Sequence, residues 1–311
     1  MITSCRAIRA ALLLTAIFLT SGCGQRLTEV KVSQMHMGMQ VDLIVWAPSV
    51  TEGQKACATA FKRIGQLNMV FSDYEADSEL SRLCRESGRG PVKISRELFT
   101  VLETAQRIAR LTDGRYDVTA APVIRLWRQA RRDHALPTRD SVAKALEYIG
   151  YGNLVLDPHA RTATLAKSGM LLDLGSIAKG YIGDEAVASL RSQGIRRAAF
   201  IAGGDMVFGD APPGKRGWPV NPAKPGLREM EVANCGFSVS GDTEQFVEIG
   251  GQRFSHVIDA RTGWALTDRR MCMVQAPAGL ISDSLSTVGT ILSKKEFDDL
   301  TRRHFRDVRT W

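Results

Sequence analysis

The sequence lacks the patterns by which nucleic-acid-binding and zinc-binding proteins are most readily identified. It has no run of five or more basic residues and no basic motif interleaved with aromatic residues, so its formal net charge of +8 does not indicate a nucleic-acid partner. A surplus of this kind suits an acidic ligand, an anionic membrane surface or a phosphate-bearing substrate. No cysteines form a CxxC pair, and no cysteine and histidine spacing resembles a zinc site.

Apolar runs of membrane length are also absent after the N-terminus, as are internal repeats and low-complexity segments. The 311 residues are 44% hydrophobic and 24% charged, a balance that excludes disordered, collagen-like and multi-span membrane proteins. What remains is a globular protein, long enough for one large domain or two average ones.

The N-terminus has the three-part pattern of a secretory signal. Arg6 and Arg9 precede the apolar run 10–19, which is shorter than the roughly 20 residues that a membrane-spanning helix needs. The residues LTSGC at 19–23 resemble a bacterial lipobox, which implies cleavage before Cys23 and lipidation of its thiol. An ordinary signal peptide cut nearby is the alternative.

We therefore expect a lipoprotein signal peptide over 1–22, a polar tether over 23–34 and a folded domain over 35–311. The expected location is the bacterial periplasm, with the lipid on Cys23 in the inner membrane. Four cysteines then remain in the mature chain, at positions 57, 84, 235 and 272. An extracytoplasmic compartment permits disulfides, but these cysteines are equally consistent with small buried hydrophobic residues, and no pairing is assigned.

Helical and strand-like patterns are interleaved without a strict βαβ repeat, which predicts a mixed α+β fold in one domain. Short or alternating apolar runs predict strands over 39–46, 154–156, 163–165 and 198–201, with further short strands between 218 and 274. Apolar residues at helical spacing predict helices over 52–69, from the cap Ser95 to the stop at Gly114, from after Gly175 to Gly194, and a last one over 281–292.

The segment 173–180, DLGSIAKG, is predicted to form a strand-to-helix turn. Free backbone N–H groups at a helix N-terminus form a natural site for phosphate. Lys179 adds positive charge there, and the Asp173 carboxylate can accept hydrogen bonds from a heterocycle. A purely structural glycine turn is the alternative.

His256 lies in the segment 255–263, SHVIDARTG, at the end of a predicted strand. An accessible histidine in such a place can serve as a general base. A lone histidine is more often a packed or surface residue, but none of the other four histidines has a comparable context.

Asp283 and Thr287 are spaced so that both point to the same side of a helix. Two hard oxygen ligands, with the open positions filled by phosphate oxygens and water, suit Mg²⁺. A capped helix start would explain Asp283 equally well. The segment 113–119, DGRYDVT, is another polar turn, for which a helix C-cap followed by a loop is the alternative.

In order along the chain, these segments resemble the bacterial FAD:protein FMN transferases, the ApbE family of lipoproteins. The resemblance covers nearly the whole mature chain. The segments that carry it are Met37-Gly38, SDYEADSELSRL at 72–83, DGRYDVTAAPVIRLW at 113–127, DLGSIAKGY at 173–181, GGD at 203–205, SVSGDTEQF at 238–246, HVIDARTG at 256–263 and SDSLSTVGTIL at 282–292. The chain departs from the usual family pattern at Ser176, Ala202 and Ala260.

The resemblance implies a single α+β domain of the thiamine-biosynthesis-lipoprotein type, related to the T-fold. It also implies FAD as donor, Mg²⁺ as cofactor, and transfer of FMN through a phosphoester bond to a Thr or Ser of an extracytoplasmic redox protein, with release of AMP. The alternatives are an FAD pyrophosphatase, in which water is the acceptor, and a flavin-binding lipoprotein without turnover.

The resemblance also assigns roles to individual residues. Positions matching flavin or nucleotide contacts are Met37, Tyr74, Arg115, Tyr116, Asp117, Asp173, Lys179, Ser255 and His256. His256 matches the proposed base, and Asp283 and Thr287 match metal ligands with a catalytic role for Asp283. Ser176 lies where a third metal ligand is supplied.

Overall fold

The computed structural model describes residues 26–221, 228–241 and 246–311. The predicted signal peptide, Cys23 and residues 242–245 of the SVSGDTEQF segment lie outside the described residues. Within those ranges, no helix is both long enough and apolar enough to cross a membrane.

The described strands, in chain order, are β1 (Thr28–His36), β2 (Met39–Ala47), β3 (Val92–Lys93), β4 (Leu154–Asp157), β5 (Thr162–Leu165), β6 (Ala198–Ala202), β7 (Asp205–Phe208), β8 (Trp218–Val220), β9 (Met230–Val232), β10 (Cys235–Gly241), β11 (Phe246–Ile249), β12 (Gln252–Ser255), β13 (Ile258–Asp259), β14 (Trp264–Ala265), β15 (Met271–Ala276) and β16 (Arg309–Thr310). The described helices are α1 (Val50–Phe71), α2 (Glu79–Arg85), α3 (Arg96–Leu111), α4 (Ala121–Asp133), α5 (Arg139–Leu146), α6 (Ala178–Ser192), α7 (Gly279–Ile291) and α8 (Lys294–His304). Short 3₁₀ turns lie at Val118–Ala120 and Tyr151–Asn153.

The main sheet has the strand order β1-β2-β6-β7-β10-β15-β16, and every neighbouring pair in it is antiparallel. Strand β2 alternates as the sequence predicts: Val41, Leu43 and Val45 are buried in the main core. Alternation of this kind arises because successive side chains in a strand point to opposite faces. Helices α1, α6 and α7 pack side by side against that core face.

The opposite face of the sheet carries a second, smaller core. Phe208 and Phe237 pack there with Trp218, which belongs to the antiparallel β8–β9 hairpin. Both faces of the sheet are thus covered by packed side chains.

Helices α6 and α7 cross at unusually short range. A Cβ atom on Gly180 would lie 2.0 Å from the carbonyl oxygen of Gly279, and one on Gly279 would lie 2.5 Å from the carbonyl oxygen of Gly180. The two glycines therefore let the backbones touch. This crossing brings the first turn of α6 against the Asp283 side chain.

The predicted single α+β domain is confirmed, and most local predictions hold. Ser95 caps α3 by accepting the Leu98 N–H, and the buried face of that helix is the predicted one. Helix α6 begins at Ala178, three positions after Gly175, because residues 174–177 form a turn closed by the Leu174 carbonyl.

Two predictions about the ends of the chain are wrong. The tether predicted over 23–34 does not extend past the start of β1 at Thr28, because that strand pairs with β2 along its whole length. The helix predicted over 281–292 is not the last, since α8 follows it with Ser293 and Glu296 forming a capping box. Strand β1 was not predicted because it is a polar edge strand with one buried residue, Val30, and so shows no apolar alternation.

Candidate active site

A cavity of about 640 Å³ lies at the end of the main sheet where β6 and β10 finish and β2, β7 and β15 begin. That volume is within the range of small-molecule sites. Most of the predicted site residues line it: Tyr74, Tyr116, Asp117, Asp173, Ser176, Lys179, His256, Asp283 and Thr287.

Asp283 is at the centre of a buried charge cluster in this cavity. Its side chain is 2% exposed, and its Oδ2 accepts the N–H of Gly180 at 2.8 Å. Its Oδ1 lies 4.0 Å from the Lys179 ammonium, which donates a hydrogen bond to Oδ2 of Asp205. Burial and the neighbouring Asp205 charge raise the pKa of Asp283, and Lys179 opposes that rise.

The Lys179 ammonium remains charged although the side chain is partly buried. Burial alone would lower the pKa of Lys179, but the Asp205 and Asp283 carboxylates outweigh it and raise the pKa above its ordinary value. When all three groups are ionised, the cluster carries a net charge of minus one. A cluster of that charge favours a cation beside it.

The structure excludes one alternative and corrects one prediction about helix starts. Asp283 does not cap α7, which begins at Gly279; the Asp184 carboxylate does so, accepting the N–H groups of Gly279 and Leu280 at 2.7 and 2.9 Å. At the start of α6, one N–H that was predicted to bind phosphate donates to Asp283 instead. The positive end of the α6 dipole therefore faces a carboxylate of the protein.

The oxygen atoms near Asp283 suit a hard divalent cation. Thr287 lies one turn further along α7, and its Oγ1 is 3.4 Å from Oγ of Ser240. In the described part of the chain, no group of three or more His, Cys, Asp or Glu side chains is arranged to hold a metal. One carboxylate and a hydroxyl, completed by substrate phosphates and water, match the coordination that Mg²⁺ prefers.

Ser176, the predicted third ligand, lies in the turn before α6. Its hydroxyl donates to the hydroxyl of Tyr116 at 3.1 Å, and Ser176 lines the cavity. Tyr116 is buried, and burial raises the pKa of its phenol, so this side chain is neutral. Asp117 next to it caps a 3₁₀ turn by accepting the N–H and hydroxyl of Thr119 at 2.8 Å each.

His256 lines the cavity between β12 and β13 and is partly buried. The preceding Ser255 does not line the cavity. Its Oγ accepts the N–H of Val257 at 3.1 Å, and its own N–H donates to the carbonyl of Leu266 at 2.8 Å. Ser255 thus fixes the turn that presents His256.

Two further predicted contact residues, Met37 and Arg115, also lie off the cavity. Arg115 donates to Oδ2 of Asp259 at 3.0 Å and to the carbonyl of Ile291 at 2.5 Å, so it joins the turn after α3 to β13 and to the end of α7. Met37 occupies the left-handed region in the β1–β2 turn and packs on the main core, whereas Met39 reaches the cavity. Contact of Met37 and Arg115 with a nucleotide stays a prediction.

The aromatic edge of the cavity is formed with Arg128, a residue that was not among the predicted site residues. Its guanidinium pairs with Asp73 at 2.6 Å and with Asp173 at 2.5 Å, and lies 4.7 Å from the ring centre of Tyr74. The Tyr74 side chain is 76% exposed. One signal was available: Ile124, Arg128 and Arg131 are spaced at i, i+4 and i+7 and all line the cavity.

The other missed residue is Asp205, the partner of Lys179. It is the last residue of the GGD segment and the first of β7. The acidic residue after the glycine pair was a usable signal, but its partner is distant in the sequence and could not be read from spacing.

The sequence profile of the ApbE family matches residues 37–310. The chain belongs to the ApbE family. Among its ApbE relatives, the FAD:protein FMN transferase of Haemophilus influenzae is 33% identical over 235 residues, which are 71% of this chain and 68% of the relative. The FAD:protein FMN transferase of Treponema pallidum is 29% identical, covering 96% of this chain and 89% of the relative.

A solved structure has the same fold. The Flavin Transferase ApbE from Vibrio cholerae superimposes with a TM-score of 0.80, covering 91% of this chain and 93% of that one at 24% sequence identity. The resemblance to the ApbE family is thus confirmed over nearly the whole folded domain.

Proposed function

We propose that this chain is a Mg²⁺-dependent FAD:protein FMN transferase. It takes FAD as donor and attaches FMN through a phosphoester bond to a Thr or Ser hydroxyl of an extracytoplasmic redox protein. The observation that carries the proposal is that one cavity is lined by Lys179, His256, Asp283 and Thr287. Two relatives of the chain are named FAD:protein FMN transferase.

In the proposed reaction, the acceptor hydroxyl oxygen attacks the phosphorus on the FMN side of the pyrophosphate. A new phosphorus–oxygen bond forms there, the bond to the bridging oxygen breaks, and AMP leaves with that oxygen. Such reactions depend on positioning and on stabilising negative charge on the phosphate oxygens. Mg²⁺, which Asp283 and Thr287 would hold, supplies that stabilisation when it is bound.

Lys179 is suited to assist at the same place. Its ammonium is held at the cavity by Asp205, lies 4.0 Å from Asp283, and remains charged. A charge that is already held in place stabilises a phosphate with little reorganisation cost.

His256 is assigned the acceptor side of the reaction. A hydroxyl is a poor nucleophile, and a positioned imidazole that takes its proton contributes roughly 10²- to 10⁴-fold to the rate. The turn fixed by Ser255 holds this imidazole at the cavity wall. The proton taken from the hydroxyl would reside on the imidazole as AMP departs.

Tyr74 is assigned to stacking against one of the ring systems of FAD. The guanidinium of Arg128 lies over its aromatic ring, and much of the ring is exposed at the edge of the cavity. Aromatic rings in this position stack on heterocycles. Both carboxylate oxygens of Asp173 are already hydrogen-bonded, to Gly175 N–H and to Arg128, so Asp173 supports Tyr74 through Arg128.

The decisive experiment incubates the mature protein with FAD, Mg²⁺ and a candidate acceptor domain, and weighs the acceptor by mass spectrometry. The expected result is an acceptor heavier by one FMN, with an equal amount of AMP. An acceptor in which the target Thr is replaced by Val is the matched control. Release of FMN and AMP without an adduct would favour the pyrophosphatase, and tight FAD binding without turnover would favour the storage protein.

We further propose that the protein is a periplasmic lipoprotein anchored through Cys23. The pattern of the first 23 residues supports this proposal. Cys23→Ala is expected either to release the protein from membranes or to leave it unprocessed, with the apolar signal segment still attached. Unchanged partition of a correctly processed Cys23→Ala protein would contradict the anchor.

A further inference from the structure

Lys179 lies near two buried carboxylates, Asp205 and Asp283, but forms a hydrogen bond with only one of them. Its Nζ donates a hydrogen bond to Oδ2 of Asp205, but it remains 4.0 Å from Oδ1 of Asp283. A separation of 4.0 Å is too long for a hydrogen bond. The ammonium is thus committed to Asp205, although the second carboxylate is within reach.

Asp205 is held in place by the main sheet. As the first residue of β7, it is aligned with Ala202 of β6 on one side and with Ser238 of β10 on the other. Its side chain is 5% exposed. It therefore forms a fixed anionic anchor in the middle of the sheet.

The two carboxylate oxygens of Asp283 have different neighbours. Oδ2 already accepts the Gly180 N–H at 2.8 Å. Oδ1 is the remaining oxygen, and it is the one nearest to Lys179. If the ammonium moved onto Oδ1, it would compete with a divalent cation for that oxygen and would repel the cation's charge.

We propose that Asp205 is a positioning residue that holds the Lys179 ammonium away from Asp283 and so keeps the Asp283 carboxylate available to a divalent cation. The inference rests on the metal site of the proposed function. Asp205 would favour cation binding in two ways. Its carboxylate restrains Lys179, and its charge leaves the cluster with a net charge of minus one instead of zero.

The test measures metal binding in the absence of FAD and acceptor, with Mn²⁺ as the probe and free Mn²⁺ counted by electron paramagnetic resonance. Asp205→Asn keeps the shape of the side chain and removes its charge. We expect this variant to bind Mn²⁺ roughly 10- to 100-fold more weakly, as is usual when a group that orients a metal ligand is removed. Asp298→Asn is the matched control, because it removes one charge from an ion pair on α8, and it should bind as wild type does.

Lys179→Met separates positioning from direct ligation. Without the ammonium nothing needs to be restrained, so Lys179→Met should bind Mn²⁺ no more weakly than wild type. Adding Lys179→Met to Asp205→Asn should restore most of the lost affinity. A double variant as weak as Asp205→Asn alone would make Asp205 a ligand and overturn the inference.

Three other results would also overturn it: wild-type affinity in Asp205→Asn, weaker binding in Lys179→Met alone, or no Mn²⁺ binding by the wild-type protein. Thermal unfolding of each variant without metal verifies that it is folded, and Lys179→Met tests the inference even if Asp205→Asn does not fold. Because the assay contains no FAD, failure of FMN transfer in the mass-spectrometric experiment would not change its result.

Discussion

Gly180→Ala should damage this protein more than any ordinary glycine-to-alanine change in a helix. The new Cβ would lie 2.0 Å from the carbonyl oxygen of Gly279, 2.4 Å from its carbonyl carbon and 2.8 Å from Cβ of Asp283. The first two neighbours are backbone atoms, so no side chain can rotate to make room. Helices α6 and α7 must separate, and Asp283 must move with α7.

The size of the effect follows from two opposing contributions. Alanine is favoured over glycine inside a helix by about 1 kcal/mol, whereas overpacking costs about 1–3 kcal/mol and more where the surroundings cannot yield. Because rigid backbone faces the new atom, we expect a net loss of about 2 kcal/mol or more in the free energy of unfolding. In a domain of this size, a loss of that magnitude lowers the melting temperature by about 3 °C or more.

The assay is thermal unfolding of Gly180→Ala beside Gly152→Ala, whose added Cβ would meet no atom within 4 Å. The control should melt close to wild type. Separation of α6 from α7 should also weaken the hydrogen bond from Gly180 to Asp283 and raise the Mg²⁺ concentration needed for AMP release. Equal melting temperatures of the two variants would refute the reasoning about the helix crossing.

Three other predictions concern single side chains. His256→Asn should keep its affinity for FAD and lose transfer by roughly 10²- to 10⁴-fold, which single-turnover mass spectrometry measures; a wild-type rate would mean that another group activates the acceptor. Asp283→Ala should abolish turnover, whereas Thr287→Ala should raise the Mg²⁺ requirement, because only Asp283 supplies a full negative charge. A Mg²⁺ titration of AMP release compares the two variants. Full activity of Asp283→Ala would contradict the metal assignment. Burial raises the pKa of Asp184 from 3.8 to about 6, so the folded protein binds a proton there that the unfolded chain releases, and the free energy of unfolding falls as pH rises through that interval. Asp184→Asn should flatten this fall in urea unfolding, and an unchanged slope would exclude Asp184 as its source.

The elements that the sequence determined by itself are those whose signals are local. The apolar face of α3 and its cap at Ser95 lie within one helix, and the alternation of β2 lies within one strand. Steric periodicity and capping act over a few residues, so a single sequence contains that information. The same reasoning puts Asp283 and Thr287 on one side of α7, one turn apart.

Only the tertiary structure decided which distant groups meet. Lys179 forms an ion pair with Asp205, and Arg128 forms ion pairs with Asp73 and Asp173. Arg115 pairs with Asp259 and does not line the cavity. Each of these pairs joins separate elements, and no spacing along the chain encodes its distance. The geometry of the site was thus set by the strand order of the sheet and by the close crossing of α6 and α7, because these bring carboxylates from different segments around one ammonium.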